Sequence, residues 1–300
     1  MKIAITGSSG QLGFDLIRVL GSGNELFPFS KKDLNVADCD KVIQTFELIR
    51  PDVIVHAAAC THVDRAEAER ELTYQVNAIG SRNVAVGAQK VGAKLIYIST
   101  GYVFDGKKAE PYDEFDQPSP VGVYGASKLA GERYVQMFCD RFFIVRTSWM
   151  YGIQGSNFVT KIVSRVLDGQ QIYVVDDKFG SPTYSNDLAR FIRQLMTTEK
   201  YGLYHAANEG GCSRYEFAKA ILQAANITGI EVIAVRSDHF QLSAERPDNS
   251  VLDSMAIRLN QLPPLRDWRD ALQSFFADDF TPSFFKNPKR ESPVDPGRGN

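Results

Sequence analysis

Short apolar runs alternate with helix-periodic stretches through the first 150 residues, and this alternation limits the fold more than any other feature. "KIAIT" (2–6), "ELFPF" (25–29), "DVIVHAA" (52–58), "AKLIYIS" (93–99) and "FFIVRTS" (142–148) read as strands. Between them "GQLGFDLIRVL" (10–20), "DCDKVIQTFELIR" (38–50), a long stretch over roughly 70–90 and the segment opening at "YGASK" (124–128) read as helices. The run 52–58 is almost continuously apolar, as a strand covered on both faces must be. Pro28 has no N–H to give a ladder, so 25–29 is the weaker strand, and Pro51 stops the helix before it. Strands separated by helices imply an α/β fold with a doubly wound parallel sheet and right-handed crossovers.

Past residue 150 the pattern loosens. "NFVTKIVSRVL" (157–167) reads as a helix, "QIYVV" (171–175) as a strand and "SNDLARFIRQLM" (185–196) as a helix capped by Ser185. "GLYHAA" (202–207) reads as a strand. "SRYEFAKAILQAA" (213–225) reads as a helix with Ser213 as cap and Glu216 closing a capping box. The expected division is a sheet domain over 1–150 with return segments near 170–200, a smaller lobe mostly over 151–280, and a disordered tail over 281–300.

Composition excludes several classes. Net charge is −2, which gives no electrostatic case for nucleic acid or an anionic membrane. No apolar run reaches the about 18 residues that a membrane span needs. The four cysteines (Cys39, Cys60, Cys139, Cys212) are scattered and the four histidines form no ligand-spaced cluster, so no metal site is expected. Free thiols in a reducing cytoplasm are favoured over disulfides.

"TGSSGQLG" joins the first strand to the first helix and places Gly7, Gly10 and Gly13 at three-residue intervals. Glycine there lets the backbone turn sharply and approach a pyrophosphate, and the helix N-terminus offers N–H groups to that anion. The context points to a Rossmann-type dinucleotide site; a merely tight connecting turn is the competing reading. After the second strand the chain reads "FSKKDLNV". Ser30, Lys31 and Lys32 lean towards the 2′-phosphate of NADPH, while Asp33 keeps NADH open, and either lysine is equally readable as a solvated loop charge.

"YGASK" places the Tyr124 phenol and the Lys128 ammonium one helical turn apart, after a strand ending at Thr100. A carbonyl receiving hydride accumulates negative charge on oxygen. A phenol can protonate that oxygen, and a nearby ammonium is expected to draw its pKa down from about 10. A hydroxyl such as that of Thr100 can donate to the same oxygen.

These pieces carry a resemblance. The chain resembles the extended short-chain dehydrogenase/reductase superfamily and, within it, is similar to the dTDP-4-dehydrorhamnose reductase family. "GSSGQLG", "RPDVIVHAAACTHVDRAEAE", "ISTGYVFDG", "PVGVYGASKLAGE", "RTSWMYG", "FGSPTYSNDLA" and "RPDNSVLD" run in that family's order over residues 1 to about 280. The resemblance implies NAD(P)H-dependent reduction of the C4 ketone of dTDP-4-dehydro-L-rhamnose, feeding polysaccharide synthesis. It implies Thr100, Tyr124 and Lys128 as the catalytic trio. It also implies a cofactor site built from Gly7, Gly10, Gln11, Leu12, Gly13, Ser30, Lys31, Asn35, Ala57, Ala58, Ala59 and Thr61, with Tyr124 and Lys128. Val63, Thr100, Tyr102, Trp149 and Asn157 would face the dTDP-sugar, and Arg246 its diphosphate; an interlobe salt bridge for Arg246 and interlobe packing for Trp149 are the alternatives. Some members pair around a divalent metal, so the resemblance offers a homodimer.

The chain departs from the family at Gly101, where an Asp usually follows the Thr. The related 4,6-dehydratases carry Asp-Glu at the places of Gly101 and Tyr102, so their extra acid and base are missing here. An epimerase needs no such pair and is less excluded; the two main alternatives are a reductase of another dTDP-4-keto-6-deoxysugar and a non-catalytic regulatory subunit resembling that of methionine adenosyltransferase.

Overall fold

The computed structural model describes residues 1–240 and 243–280. Five strands, β1 (Lys2–Thr6), β2 (Glu25–Phe29), β3 (Val53–His56), β4 (Lys94–Thr100) and β5 (Phe142–Thr147), and a sixth, Gly202–His205, form one parallel sheet. From edge to edge it runs Gly202–His205, β5, β4, β3, β1, β2. Pro28 therefore sits in an edge strand, where its missing N–H costs no internal ladder bond.

Alternation along each strand supplies both faces. Ile3, Ile5, Val53 and Val55 pack under helix α1 (Gln11–Leu20) and the Ser185–Leu195 helix through Leu12, Leu16, Leu188 and Ile192. Ala4, Ile54, Leu95 and Ile144 face the other way, against helix α2 (Cys39–Ile49) and the helices Gly80–Val91 and Val123–Phe138. Each fully buried Ile or Val contributes about 1.5–3 kcal/mol.

The expected long helix over 70–90 is interrupted. Residues Gln75–Ile79 form a π turn, and Asn77 inside it donates to the Cys60 carbonyl and the Ser127 hydroxyl while accepting from the Cys60 N–H. Ser185 does not cap its helix. Tyr184 is the N-cap residue, and the Ser185 hydroxyl donates instead to the buried carboxylate of Asp15 on α1.

A smaller body lies over the carboxyl ends of the strands. Its core gathers Tyr151, Ile162, Ile172, Phe217, Trp268 and Phe275. The strand Ile172–Val175, expected near the return to the sheet, pairs with Val232–Val235 instead, and the elements that return are the Ser185–Leu195 helix and Gly202–His205. Ser213 and Glu216 close the expected capping box at the start of the Arg214–Ala224 helix. The expected tail over 281–300 lies outside the described residues. Among the described residues no helix is long and apolar enough to cross a membrane. All four cysteines are free thiols.

Candidate active site

Three chain segments meet where the strand order reverses between β1 and β3. Gly7 has φ +73°, and a Cβ there would lie 2.7 Å from the Ala58 nitrogen and 2.8 Å from the Ala57 carbonyl. A Cβ on Gly13 would overlap the Gly7 carbonyl oxygen. The turn thus closes only with glycine, and it presses β1, α1 and the end of β3 together. At Gly10 the helix opens without a side-chain cap and with no acidic residue in its first turn. Helix α2, in contrast, is capped by Asp38, which accepts from the Lys41 N–H at 3.0 Å. The free N–H groups of α1 are left for an anion.

A cleft of about 580 Å³ opens at this end. It is lined by Gly7, Gly10, Gln11, Leu12 and Gly13 from the turn, and by Lys31, Asn35, Ala57, Ala58, Ala59 and Thr61 beyond it. Thr100, Tyr124 and Lys128 also line it, and so do Val63, Tyr102, Trp149 and Asn157. Ser30 stands apart from the lining: its N–H and hydroxyl both donate to Asp33, at 2.8 and 2.6 Å. That contact occupies the carboxylate which would have suited a free ribose 2′-OH. Among the described residues no carboxylate lines the cleft, while Lys31, Lys128 and Arg214 do. The glycine cradle, the uncapped helix and the acid-free wall together fit a dinucleotide's phosphates.

Thr100 ends β4, and its hydroxyl oxygen accepts the Tyr102 N–H at 3.1 Å. Its own proton is thereby left to donate. Tyr124 and Lys128 stand on the Val123–Phe138 helix one turn apart. The ammonium of Lys128 lies 4.1 Å from the centre of the Tyr97 ring. Burial lowers its pKa to about 7, opposed by Glu132 one turn further on. Glu132 is itself held by Ser99 at 2.5 Å and by Arg146 at 2.6 and 2.9 Å.

The expected acidification of Tyr124 by Lys128 is absent. Burial pushes the phenol up to about 12, and the opposing influence is a hydrogen bond with Thr100, not the ammonium. Desolvation of the phenolate is the largest influence on this phenol.

Two expected substrate contacts carry structural bonds. Asn157 caps the Phe158–Leu167 helix, and its amide donates to Gln11 at 3.0 Å and to the Gly152 carbonyl at 2.8 Å. Arg246 faces a second chamber, and its guanidinium is paired with Asp64 at 2.5 Å. Gly101 is buried, and a Cβ there would sit 3.4 Å from Leu252 and from the Ser250 carbonyl. The sequence reading missed Thr147, Ser148 and Arg214, all of which line the cleft. Thr147 is in register with Thr100, and its buried hydroxyl has no partner among the described residues. Its place at the carboxyl end of "FFIVRTS" was the available signal.

The sequence profile described as "RmlD substrate binding domain" matches residues 1–280. The chain is 39% identical over 280 residues to the spore coat polysaccharide biosynthesis protein SpsK of Bacillus subtilis (strain 168), covering 92% of this chain and 97% of that protein. It is 34% identical over 295 residues to the dTDP-4-dehydrorhamnose reductase of Escherichia coli (strain K12), covering 94% and 99%. The crystal structure of dTDP-4-dehydrorhamnose reductase from Bacillus anthracis str. Ames in complex with NADP superposes with a TM-score of 0.90 at 46% identity, covering 92% of this chain and 98% of that one.

Proposed function

We infer the reaction from one premise: the chain belongs to the RmlD substrate binding domain family, whose members over its full matched length include dTDP-4-dehydrorhamnose reductases. The protein is an NAD(P)H-dependent oxidoreductase that reduces the C4 ketone of dTDP-4-dehydro-L-rhamnose to dTDP-L-rhamnose. The observation that carries this reading is the meeting of Thr100, Tyr124 and Lys128 in one cleft with an uncapped, glycine-opened helix. A regulatory subunit has no need of that trio.

A reduced nicotinamide, when bound, would supply the hydride for the C4 carbon. Every other part of the step belongs to side chains of this protein. Thr100 accepts the Tyr102 N–H and its hydroxyl stands beside the Tyr124 phenol, where it would help to steady the ketone oxygen. Tyr124, with its pKa raised to about 12, stays protonated at neutral pH and is the acid that delivers a proton to the developing alkoxide. An alkoxide is more basic than a phenolate, so the transfer runs downhill even from this weak acid. Lys128 would hold ribose hydroxyls and steady the phenolate left behind. Tyr102 stands edge-on to Tyr124 with ring centres 6.0 Å apart and closes one side of the site.

Lys31 on the cleft wall and Asp33 turned to Ser30 support NADPH over NADH. A role in making polysaccharide precursors agrees with the resemblance.

The test is a panel of dTDP-4-keto-6-deoxysugars with both reduced cofactors, with products identified by NMR. The expected result is dTDP-L-rhamnose, formed from NADPH with the highest kcat/KM of the panel. Preference for a different 4-keto sugar would reassign the substrate, and Gly101 in place of the family's Asp makes that the specific alternative.

A further inference from the structure

A second chamber of about 310 Å³ opens off the cleft and shares Tyr102, Trp149, Phe158 and Arg214 with it. Five cations line it (Lys161, Arg165, Lys178, Arg214 and Arg246) and, among the described residues, no carboxylate does. The five are not equivalent. Lys178 pairs with Asp248 and Arg246 with Asp64, both of which stand outside the lining. Lys161 and Arg165 are exposed on the Phe158–Leu167 helix. Arg214 sits at the joint of the two cavities, partly buried, and is in no ion pair among the described residues.

The seat of Arg214 is built. Its guanidinium carbon lies 3.6 Å from the centre of the Trp149 ring and 4.7 Å from that of Phe158. Trp149 itself holds a left-handed backbone, φ +42°, which is costly for a bulky residue. Its indole rests on Gly180, where any Cβ would overlap the ring. The indole is thus fixed between a glycine and a guanidinium. Stacking uses the face of the guanidinium and leaves its in-plane N–H groups available, beside Tyr102 on the shared lining. Burial and the like charge of Arg246 both disfavour the cation. A charge held in that way, with no counter-ion, is compensated when an anion arrives.

We propose that Arg214 is the specificity-determining contact for the diphosphate of the sugar nucleotide, gripping it where the sugar enters the cleft and the nucleoside enters the basic chamber. The assignment rests on the dTDP-sugar reading. It moves the principal diphosphate contact from Arg246, which is engaged by Asp64, to a residue whose donors are free to receive it.

The experiment compares the full-length protein with Arg214→Met and Arg214→Lys in equilibrium binding of dTDP, thymidine and NADPH. Arg214→Met is expected to lose about 30-fold or more in dTDP affinity, with thymidine and NADPH binding within about twofold of wild type. Arg214→Lys is expected to fall between the two, because it keeps the charge and loses the planar fork. Unchanged dTDP affinity in Arg214→Met overturns the proposal, and so does an equal loss for thymidine, which would mark simple packing on Trp149. If Arg214→Met fails to hold NADPH, the decision passes to Arg214→Gln, a planar uncharged cover for the indole, judged on the same dTDP-to-thymidine ratio. Absence of dTDP binding in the wild type sinks the substrate reading itself; binding that ignores residue 214 sinks only this inference.

Discussion

The two ends of the cleft offer opposite kinds of donor to a phosphate. At the α1 end the work is done by main chain: glycines that admit no Cβ, and N–H groups at a helix start without a side-chain cap. In the chamber beyond Trp149 the donors on offer are side chains drawn from the Phe158–Leu167 helix, the start of the Arg214–Ala224 helix and the Arg246 segment. Main-chain recognition fixes one geometry and tolerates little change. Side-chain recognition is charge on adjustable stems, and it sets which substrate is admitted. Thr100, Tyr124 and Lys128 line the same cleft and, in the proposed reaction, would serve both ligands.

The largest expected effect falls on that joint. Tyr124→Phe removes the proton donor without emptying space and should lower kcat by about 10²–10⁴-fold. NADPH affinity, followed by fluorescence titration, should stay within about twofold. Comparable loss of cofactor binding would show that the phenol belongs to the cofactor end alone.

Gly13→Ala attacks the main-chain end. The new Cβ meets the Gly7 carbonyl, a backbone atom that cannot swing aside. Overpacking of about 1–3 kcal/mol and a fall of about 10–100-fold in NADPH affinity are expected. Binding of dTDP should be spared, and a loss there would break the separation between the two ends.

Lys128 offers a test by pH. Its folded pKa is depressed to about 7 from an ordinary 10.5. Between those values the unfolded chain binds more protons, so wild-type stability should rise with pH across about 7 to 10.5 and be lowest below 7. Lys128→Met lacks that slope. It should melt higher than wild type at about pH 6, and the difference should shrink towards pH 10. A constant difference would mean that the ammonium is not buried.

The smallest effect is the control on caps. Asp38→Ala removes the side-chain cap of α2 and should cost about 0.5–2 kcal/mol in denaturant melts with kcat unchanged. The same kind of bond is what α1 forgoes.

The same contrast explains what the sequence could disclose. A main-chain site needs closely spaced glycines after a strand, and "TGSSGQLG" carries that whole requirement in eight letters. Pro28 marked its edge strand and Ser213 with Glu216 marked their helix start, because each signal acts within a few residues. Signals that depended on distant partners failed. Ser185 resembles a cap, yet the buried Asp15 of α1 takes its hydroxyl. Asn77 draws the helix into a π turn by bonding back to Cys60. The spacing of Tyr124 and Lys128 is right, but spacing says nothing of desolvation, which sets both pKa values. Arg214 looked like any first-turn residue after a cap, since only the fold brings Trp149 beneath it.

The central claim is that hydride passes to C4 of the dTDP-sugar in the cleft lined by Thr100, Tyr124 and Lys128. Its most direct test is turnover of dTDP-4-dehydro-L-rhamnose with NADPH carrying deuterium at both C4 positions of its nicotinamide ring, with the sugar read by NMR. The account predicts one deuterium, on C4 of the rhamnosyl ring, in every product molecule. Deuterium elsewhere in the sugar, or an unlabelled product, would contradict it.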